Sequence, residues 1–184
     1  DESTVTWQVT PRFHFNDDTM AYLRVATGYR PGGPNTPIPP TPPTFKSDET
    51  TNYELGLKGS AMDNRVVYDV APYWIDWDDI QLYFVSPTTG LSFLDNGGRA
   101  RSKGVEGSAT LRATPGLTLG GNFAIGEATL RDDLPALNGV GLAGDRLPGS
   151  PEFSGTLTAD YAFDLAEGYE ATVGATLVHI GDRK

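Results

Sequence analysis

Apolar and polar residues alternate along most of this chain, which is the pattern that predicts β-strands. Between positions 52 and 60, Tyr53, Leu55 and Leu57 alternate with the charged Glu54 and Lys58. Successive side chains of a strand point to opposite faces, so such a segment has one apolar face and one polar face. The alternation recurs and predicts eight strands, near residues 5–15, 21–30, 52–60, 65–81, 105–112, 117–125, 153–163 and 169–177.

The predicted strands are joined alternately by short turns and by long segments rich in proline and glycine. The short turns are built from residues that favour tight turns and lie at 16–18, 63–64, 114–116 and 164–168. The long segments lie near 31–47, 86–96 and 131–150. Short turns on one side and long loops on the other are typical of outer-membrane barrels, whose long loops are extracellular.

Two kinds of protein share this alternation, so other features decide between them. A soluble sandwich or lipocalin-like barrel buries its apolar face, whereas a membrane barrel turns that face towards lipid. The predicted strands are longer than the roughly five or six residues usual in soluble sheets and can cross a bilayer at a tilt. Aromatic residues near strand ends also suit a membrane interface: Trp7, Phe13, Phe15, Tyr29, Tyr53, Tyr161, Phe163 and Tyr169. We therefore predict an all-β fold, an antiparallel up-and-down transmembrane β-barrel, with a soluble β-sandwich binding module as the alternative.

Composition and charge narrow the possible functions. The 184 residues carry a net charge of −10, with 14 basic and 24 acidic residues, so no nucleic-acid partner is expected. The chain has no cysteine, which excludes disulfides and thiolate metal sites. It has no run of about 18 apolar residues that would predict a membrane helix. It begins at Asp1 without a leader, so we expect any export signal to be removed or to lie upstream.

Five segments of the chain resemble one known family and occur in that family's order. They read YLRVATGYRPGGP at 22–34, NYELGLK at 52–58, YWIDWDDIQ at 73–81, NGGRARSKGVE at 96–106 and LPGSP at 147–151. In these segments the chain is similar to the C-terminal β-barrel region of TonB-dependent outer-membrane receptors. The segments are spread across nearly the whole chain and say little about the substrate.

The resemblance implies a barrel of about 22 strands whose lumen is closed by an N-terminal plug domain. Residues 1–184 would form a partial barrel domain of about eight strands, without the plug, the TonB box or the terminal aromatic strand. The expected location is the bacterial outer membrane, where membrane lipid contacts the wall. The expected function is import of a scarce nutrient, most often an iron–siderophore complex, driven by TonB through the plug. A small self-contained barrel of eight strands is the alternative.

Charged residues in the polar rows are the candidate ligand contacts. Five would line the lumen and contact plug, water or ligand: Arg24, Glu54, Lys58, Glu106 and Arg112. Arg99 and Arg101, with Lys103, form the densest basic cluster and could attract an anionic ligand such as a siderophore carboxylate at the lumen or mouth. Alternatively, these three cations lie near anionic lipid or pair with the acidic excess of the chain.

Other motifs have simpler explanations than the chemistry they suggest. The segment GVGLAG at 139–144 matches a dinucleotide fingerprint, but DRLP follows it in place of a long helix, so a glycine-rich loop is expected. The prolines of 31–43 could form a polyproline ligand, and a stiff cover over the mouth is the simpler interpretation.

Metal and catalytic chemistry are not expected. Asp76, Asp78 and Asp79 could approach a cation such as calcium, but a solvated rim beside headgroups explains them better. His14 and His179 are the only histidines and are 165 positions apart. No serine-hydrolase motif is present. We therefore expect no enzyme activity, no metal site and no cofactor.

Overall fold

The computed structural model of this chain is built from β-strands. It describes residues 3–37, 39, 41–134 and 141–183. Within those residues, no helix is long and apolar enough to cross a membrane. The strands are β1 (Gln8–Val9), β2 (Arg12–His14), β3 (Thr19–Arg30), β4 (Gly33–Pro34), β5 (Thr44–Phe45), β6 (Asp48–Ala61), β7 (Val66–Asp78), β8 (Gln81–Val85), β9 (Ser92–Asn96), β10 (Ala100–Arg112), β11 (Leu117–Leu130), β12 (Phe153–Ala166) and β13 (Tyr169–Ile180).

One large antiparallel sheet forms the wall of the molecule. Its order is β1-β3-β6-β7-β10-β11-β12-β13, and β2 continues β1 along the same side of β3. Since β1 and β2 together take the place of one strand, the wall has eight strand positions, as the sequence predicts. The eight are connected up and down in chain order, which confirms the antiparallel topology. Among the described residues, β1 and β13 are unpaired edges, so this sheet does not close into a barrel by itself.

Six of the wall strands, β3, β6, β10, β11, β12 and β13, are longer than the alternation predicts. β6 begins at Asp48, β10 begins at Ala100 and β11 extends to Leu130. Each extension lies on the side of the long segments, and the seven longest wall strands span 12 to 14 residues. The long loops that follow β3 and β11 nevertheless begin at residues 31 and 131, as the sequence predicts.

The prediction of one strand over 65–81 is wrong in its last part. β7 ends at Asp78, and Asp79 has a φ of 53°, a left-handed conformation that interrupts a strand. The chain then forms the hairpin β8–β9, which crosses the segment predicted as a loop at 86–96. A second short hairpin, β4–β5, lies within the predicted loop at 31–47. Both hairpins belong to the loop end of the wall.

The opposite edge of the wall has the tight turns that the sequence predicts. Between β6 and β7, Met62, Asp63 and Asn64 have φ values of 54°, 55° and 61°. Asp and Asn tolerate this left-handed region better than most residues do. The turn therefore forms where the sequence places DN, and it fixes the register of the long β6–β7 pair.

The apolar rows of the wall are exposed and are not packed into a dry core. The exposed fraction is 49% for Leu23, 57% for Leu55, 62% for Leu157 and 66% for Leu177. A soluble β-sandwich would bury these rows, so that alternative is wrong. A soluble protein rarely exposes a continuous apolar surface of this extent, whereas a membrane barrel requires one. We call this face outward and the opposite, polar face inward.

Candidate ligand-facing surface of the wall

Strand register brings the predicted polar residues together on the inward face. Arg24 of β3 lies opposite Glu54 of β6, and Lys58 of β6 lies opposite Asp69 of β7. Directly opposed residues of an antiparallel pair point to the same face. Because three neighbouring strands contribute, residues far apart in sequence form one charged surface.

Tyr22 is the centre of this surface. It is 8% exposed, and its ring lies across Gly56 on the adjacent strand, where any Cβ would overlap it. The Tyr22 hydroxyl donates a hydrogen bond to the Glu54 carboxylate. The Lys58 ammonium lies 5.2 Å from the centre of the same ring. The glycine of NYELGLK thus makes room for an aromatic ring that orients one acid and one base.

Two further contacts extend the network. The Lys58 Nζ is 2.6 Å from the Asp69 Oδ2, with both side chains partly exposed. The Arg24 Nη2 donates to the Gln8 Oε1 over 2.9 Å, which links β3 to β1. Charges held in this way keep fixed positions and remain accessible from the inward side.

The inward face borders an open recess of about 680 Å³. Four of the seven predicted contacts line it: Arg24, Glu54, Lys58 and Glu106. The lining runs from Gln8 on β1 to Ser154 on β12, so the sheet curves around this space. The recess presents both hydrogen-bond donors and acceptors, which suits a polar ligand or a polar protein surface.

The other three predicted residues lie elsewhere. Arg112 shares the inward face but lies at the turn end, opposite Thr118 and outside the recess. Arg101 is on the outward face, and its guanidinium is 2.7 Å from Asp76. Arg99, just before β10, pairs with Asp132 at 2.8 Å. The alternative of pairing with the acidic excess therefore describes both of these arginines.

The Arg99–Asp132 pair is outside the membrane-spanning strands, and it shifts the proton equilibrium of the acid. Hydrogen bonds from the Arg99 side chain and backbone stabilise the carboxylate and lower the pKa of Asp132 to about 2. The same contact raises the pKa of Arg99. The pair is therefore ionised throughout the physiological range.

Several side chains fasten the long loops at the mouth, and the sequence interpretation missed them. Gln81, which is 7% exposed, donates from Nε2 to the carbonyl oxygens of Pro31 and Lys46, both over 2.9 Å. The backbone N–H of Gln81 donates to Asp48, which is 2% exposed and also accepts from the Arg30 guanidinium. One glutamine thus joins both ends of segment 31–47 to the top of the wall.

Two asparagines fasten the same loops further out. The Asn35 side chain donates to the Leu94 carbonyl over 2.7 Å and accepts from the Leu94 N–H over 3.1 Å. Asn96 accepts from the Lys46 N–H and donates to the Asp79 carbonyl, each over 2.7 Å. We call Asn35, Asp48, Gln81 and Asn96 the loop clamp. It satisfies backbone groups that no strand partner reaches.

The remaining motifs occupy ordinary structural positions. Of the glycine motif, positions 139 and 140 lie outside the described residues, and 141–144 form a turn that Asp133 and Asp145 cap through backbone N–H groups. His14 lies on β2, and His179 lies on the outward face, 5.7 Å from the Phe153 ring. Asp76 is engaged by Arg101 and by the Trp74 indole.

The alternation of the sequence could have predicted which face of the wall Arg101 occupies. Val105 and Leu111 belong to an apolar row at odd positions of β10, and Arg101 continues that row. The predicted strand started at 105, so the row was not extended towards the loop. Tyr22 could likewise have been chosen, since it stands in the polar row of Arg24. Asp69 lies in a mostly apolar row of β7, and only its register with Lys58 brings it into the network.

Comparison with known proteins agrees with this geometry. The family model described as TonB dependent receptor-like, beta-barrel matches residues 1–184. The pesticin receptor of Yersinia enterocolitica is 30% identical over 173 residues, which is 91% of this chain and 24% of that receptor. The chain thus spans about a quarter of the length of the curated relatives it matches.

Solved structures share the fold. The ferric yersiniabactin uptake receptor of Yersinia pestis superposes with a TM-score of 0.72 at 23% identity, over 95% of this chain and 25% of that one. The ferric preacinetobactin receptor of Acinetobacter baumannii gives a TM-score of 0.69 at 18% identity, over 95% and 25% of the two chains. This chain belongs to the TonB-dependent receptor β-barrel family and lies in the outer membrane of Gram-negative bacteria.

Proposed function

We propose that this chain is a section of the wall of a TonB-dependent transporter that imports a ferric siderophore. The plug and the other barrel strands would come from the rest of the protein. The observation that carries the proposal is the inward recess, where charged and aromatic side chains are held in fixed positions opposite an apolar, lipid-facing surface.

The relatives support the class of ligand. Two of the solved structures are receptors for ferric yersiniabactin and ferric preacinetobactin, and both share the fold of this chain. Import against a gradient through a plugged barrel needs energy, which TonB would supply.

Arg24 and Lys58 are the proposed ligand contacts on this wall. Both are cationic, line the recess and are fixed by neighbours, Gln8 for Arg24 and Asp69 for Lys58. Cations in fixed positions attract the oxygen-rich, often anionic surface of an iron chelate. Glu54 and Glu106 would limit that attraction and contribute to ligand selectivity.

The test uses the complete receptor in an iron-starved host, with ferric yersiniabactin as the first probe and other ferric siderophores as a panel. We expect the R24Q/K58Q double variant to bind the cognate siderophore about a hundredfold more weakly, since each of the two lost contacts to a charged group is worth roughly 1.5 kcal/mol or more. K103Q, on the outward face, is the matched control and should bind normally.

Two outcomes would contradict different parts of the proposal. Uptake that continues in a host lacking TonB would contradict energised import. Unchanged binding by R24Q/K58Q, with uptake still dependent on TonB, would contradict only the residue assignment.

A further inference from the structure

The hairpin β8–β9 forms a sheet of two strands at the mouth, separate from the wall. Ile80 and Ser86, just outside the two ends of β8, hydrogen-bond through their backbones to the opposite arm of the hairpin. Bonded and non-bonded positions alternate along an antiparallel pair, so the even-numbered residues of β8 bond to β9. The backbone groups of Tyr83 and Val85 therefore point away from β9.

Neighbouring backbone groups that point away from the hairpin are paired with side chains. The Gln81 N–H donates to the Asp48 carboxylate over 3.1 Å, and the Gln81 carbonyl accepts from the Arg30 guanidinium over 3.2 Å. On β9, both backbone groups of Leu94 bind the side chain of Asn35. Side chains thus act as strand partners at part of each edge of the hairpin.

Tyr83 and Val85 form a free strand edge. Their outward backbone groups have no partner among the described residues, and the two residues are 77% and 60% exposed. Proteins usually protect an exposed edge with charged side chains, proline or a bulge, whereas β8 reads QLYFV without charge or proline. A hairpin of two strands is marginally stable by itself. Such an edge can accept a further strand through main-chain hydrogen bonds.

We propose that the free edge of β8 pairs with an extended strand from another extracellular loop of the same receptor, outside residues 1–184. The chain spans about a quarter of the relatives it matches, so the rest of the receptor contributes most of the loops around the mouth. Loops on one rim meet at a high effective concentration, which favours them over partners in solution. Hairpins of different loops already lie side by side within this chain, since β5 contacts β9 and Asn35 joins β9 beside β4.

The test measures hydrogen–deuterium exchange at single amides of β8 in the complete receptor, purified in detergent. The amides of Leu82 and Phe84 point to β9 and serve as the internal control. We expect the Tyr83 and Val85 amides to exchange about a hundredfold more slowly than unstructured amides, as those of Leu82 and Phe84 do. Free exchange at Tyr83 and Val85 beside protected control amides would overturn the proposal, and this comparison needs no variant to fold.

A proline variant locates the pairing strand. Y83P removes an N–H that points away from β9, so the hairpin keeps its own hydrogen bonds. We expect one segment outside residues 1–184 to exchange about tenfold faster in Y83P. S92P removes an outward N–H from the opposite edge of the hairpin, and as the matched control it should leave that segment unchanged. A Y83P effect confined to residues 1–184 would overturn the assignment to another loop.

Receptor concentration separates a loop of the same molecule from a second copy. The purified sample contains no other protein, so slow exchange at Tyr83 and Val85 comes from one of these two sources. Protection that is unchanged on dilution of a monomeric sample supports the proposal. Protection that disappears on dilution would assign the edge to a second copy and overturn it. None of these outcomes depends on which ligand the receptor imports.

Discussion

The wall and the mouth of this molecule are held together in different ways. In the wall, long strands pair through their backbones, and alternate side chains serve two different surroundings. At the mouth, the loop clamp uses side chains to bind backbone groups that are 17 to 59 positions away in sequence. The wall depends on a repeated pattern, so many sequences can form it. The mouth depends on a few individual residues.

The distribution of buried residues follows the same division. The wall leaves most of its large apolar side chains exposed for lipid, whereas most of the buried ones lie near the loop end, including Ile80, Phe84, Leu130 and Leu134. At the loop end, apolar side chains are therefore buried within the protein. The wall has lipid as its apolar partner. Substitutions should consequently act on different properties in the two regions.

The largest effect should come from placing a charge on the outward face of the wall. Leu157 is 62% exposed on that face, and L157R would place a guanidinium near mid-membrane, costing about 2–4 kcal/mol. Refolding of the complete receptor into bilayers, followed by chemical unfolding, measures this cost. S108R on the inward face is the control and should cost much less. Similar costs at both positions would contradict the division into two faces.

The next largest effect should come from breaking the loop clamp. Q81A removes the donor that Pro31 and Lys46 share, and a buried group left without its partner costs about 1–3 kcal/mol. We expect protease to cut segment 31–47 faster while the melting temperature of the barrel stays the same. Q8A, an exposed glutamine on β1, is the matched control. A lowered barrel melting temperature in Q81A would show that mouth and wall unfold together.

The ion pair between Lys58 and Asp69 should contribute little to stability. Both side chains are about 40% exposed, so the coupling in a double-mutant cycle should be below about 1 kcal/mol. The cycle uses K58M, D69N and the double variant, with chemical unfolding as the measurement. A coupling well above this range would indicate that the inward face is shielded from water.

The smallest effect concerns pH at the mouth. The pKa of Asp132 is lowered from its ordinary value of 3.8 to about 2. The stabilisation from its pair with Arg99 is therefore complete above pH 3.8 and is lost as the pH falls through 2. NMR of labelled aspartate carboxyls in the complete receptor measures this titration. R99Q should return the pKa of Asp132 towards its ordinary value, and an unchanged pKa in R99Q would exclude Arg99 as the cause.

The wall could be predicted from the sequence because its pattern is local. Two neighbouring positions, such as Glu54 and Leu55, reveal which face each one occupies once the period is known. Turn residues such as Asp63 and Asn64 show where one strand ends and the next begins. These signals gave eight wall positions and placed five of the seven candidate contacts on the inward face.

The mouth could not be predicted because its contacts are individual and distant in sequence. Asn35 and Leu94 are 59 positions apart, and each lies in a segment with no periodicity. The face of Arg101 was left open for a different reason, since its row was visible but the predicted strand started too late. Extending a regular period until a turn residue interrupts it would have settled the face of Arg101 but would not have predicted the contacts of the mouth.

The central claim is that Leu55 faces lipid while Lys58, on the same strand, faces the enclosed interior. A nitroxide label at L55C or K58C in the complete receptor, reconstituted into bilayers, measures contact with oxygen in lipid and with a nickel chelate in water. We predict that the Leu55 label contacts oxygen more than the chelate and that the Lys58 label shows the opposite preference. Equal access of the nickel chelate to the Leu55 label and to the Lys58 label would contradict this claim.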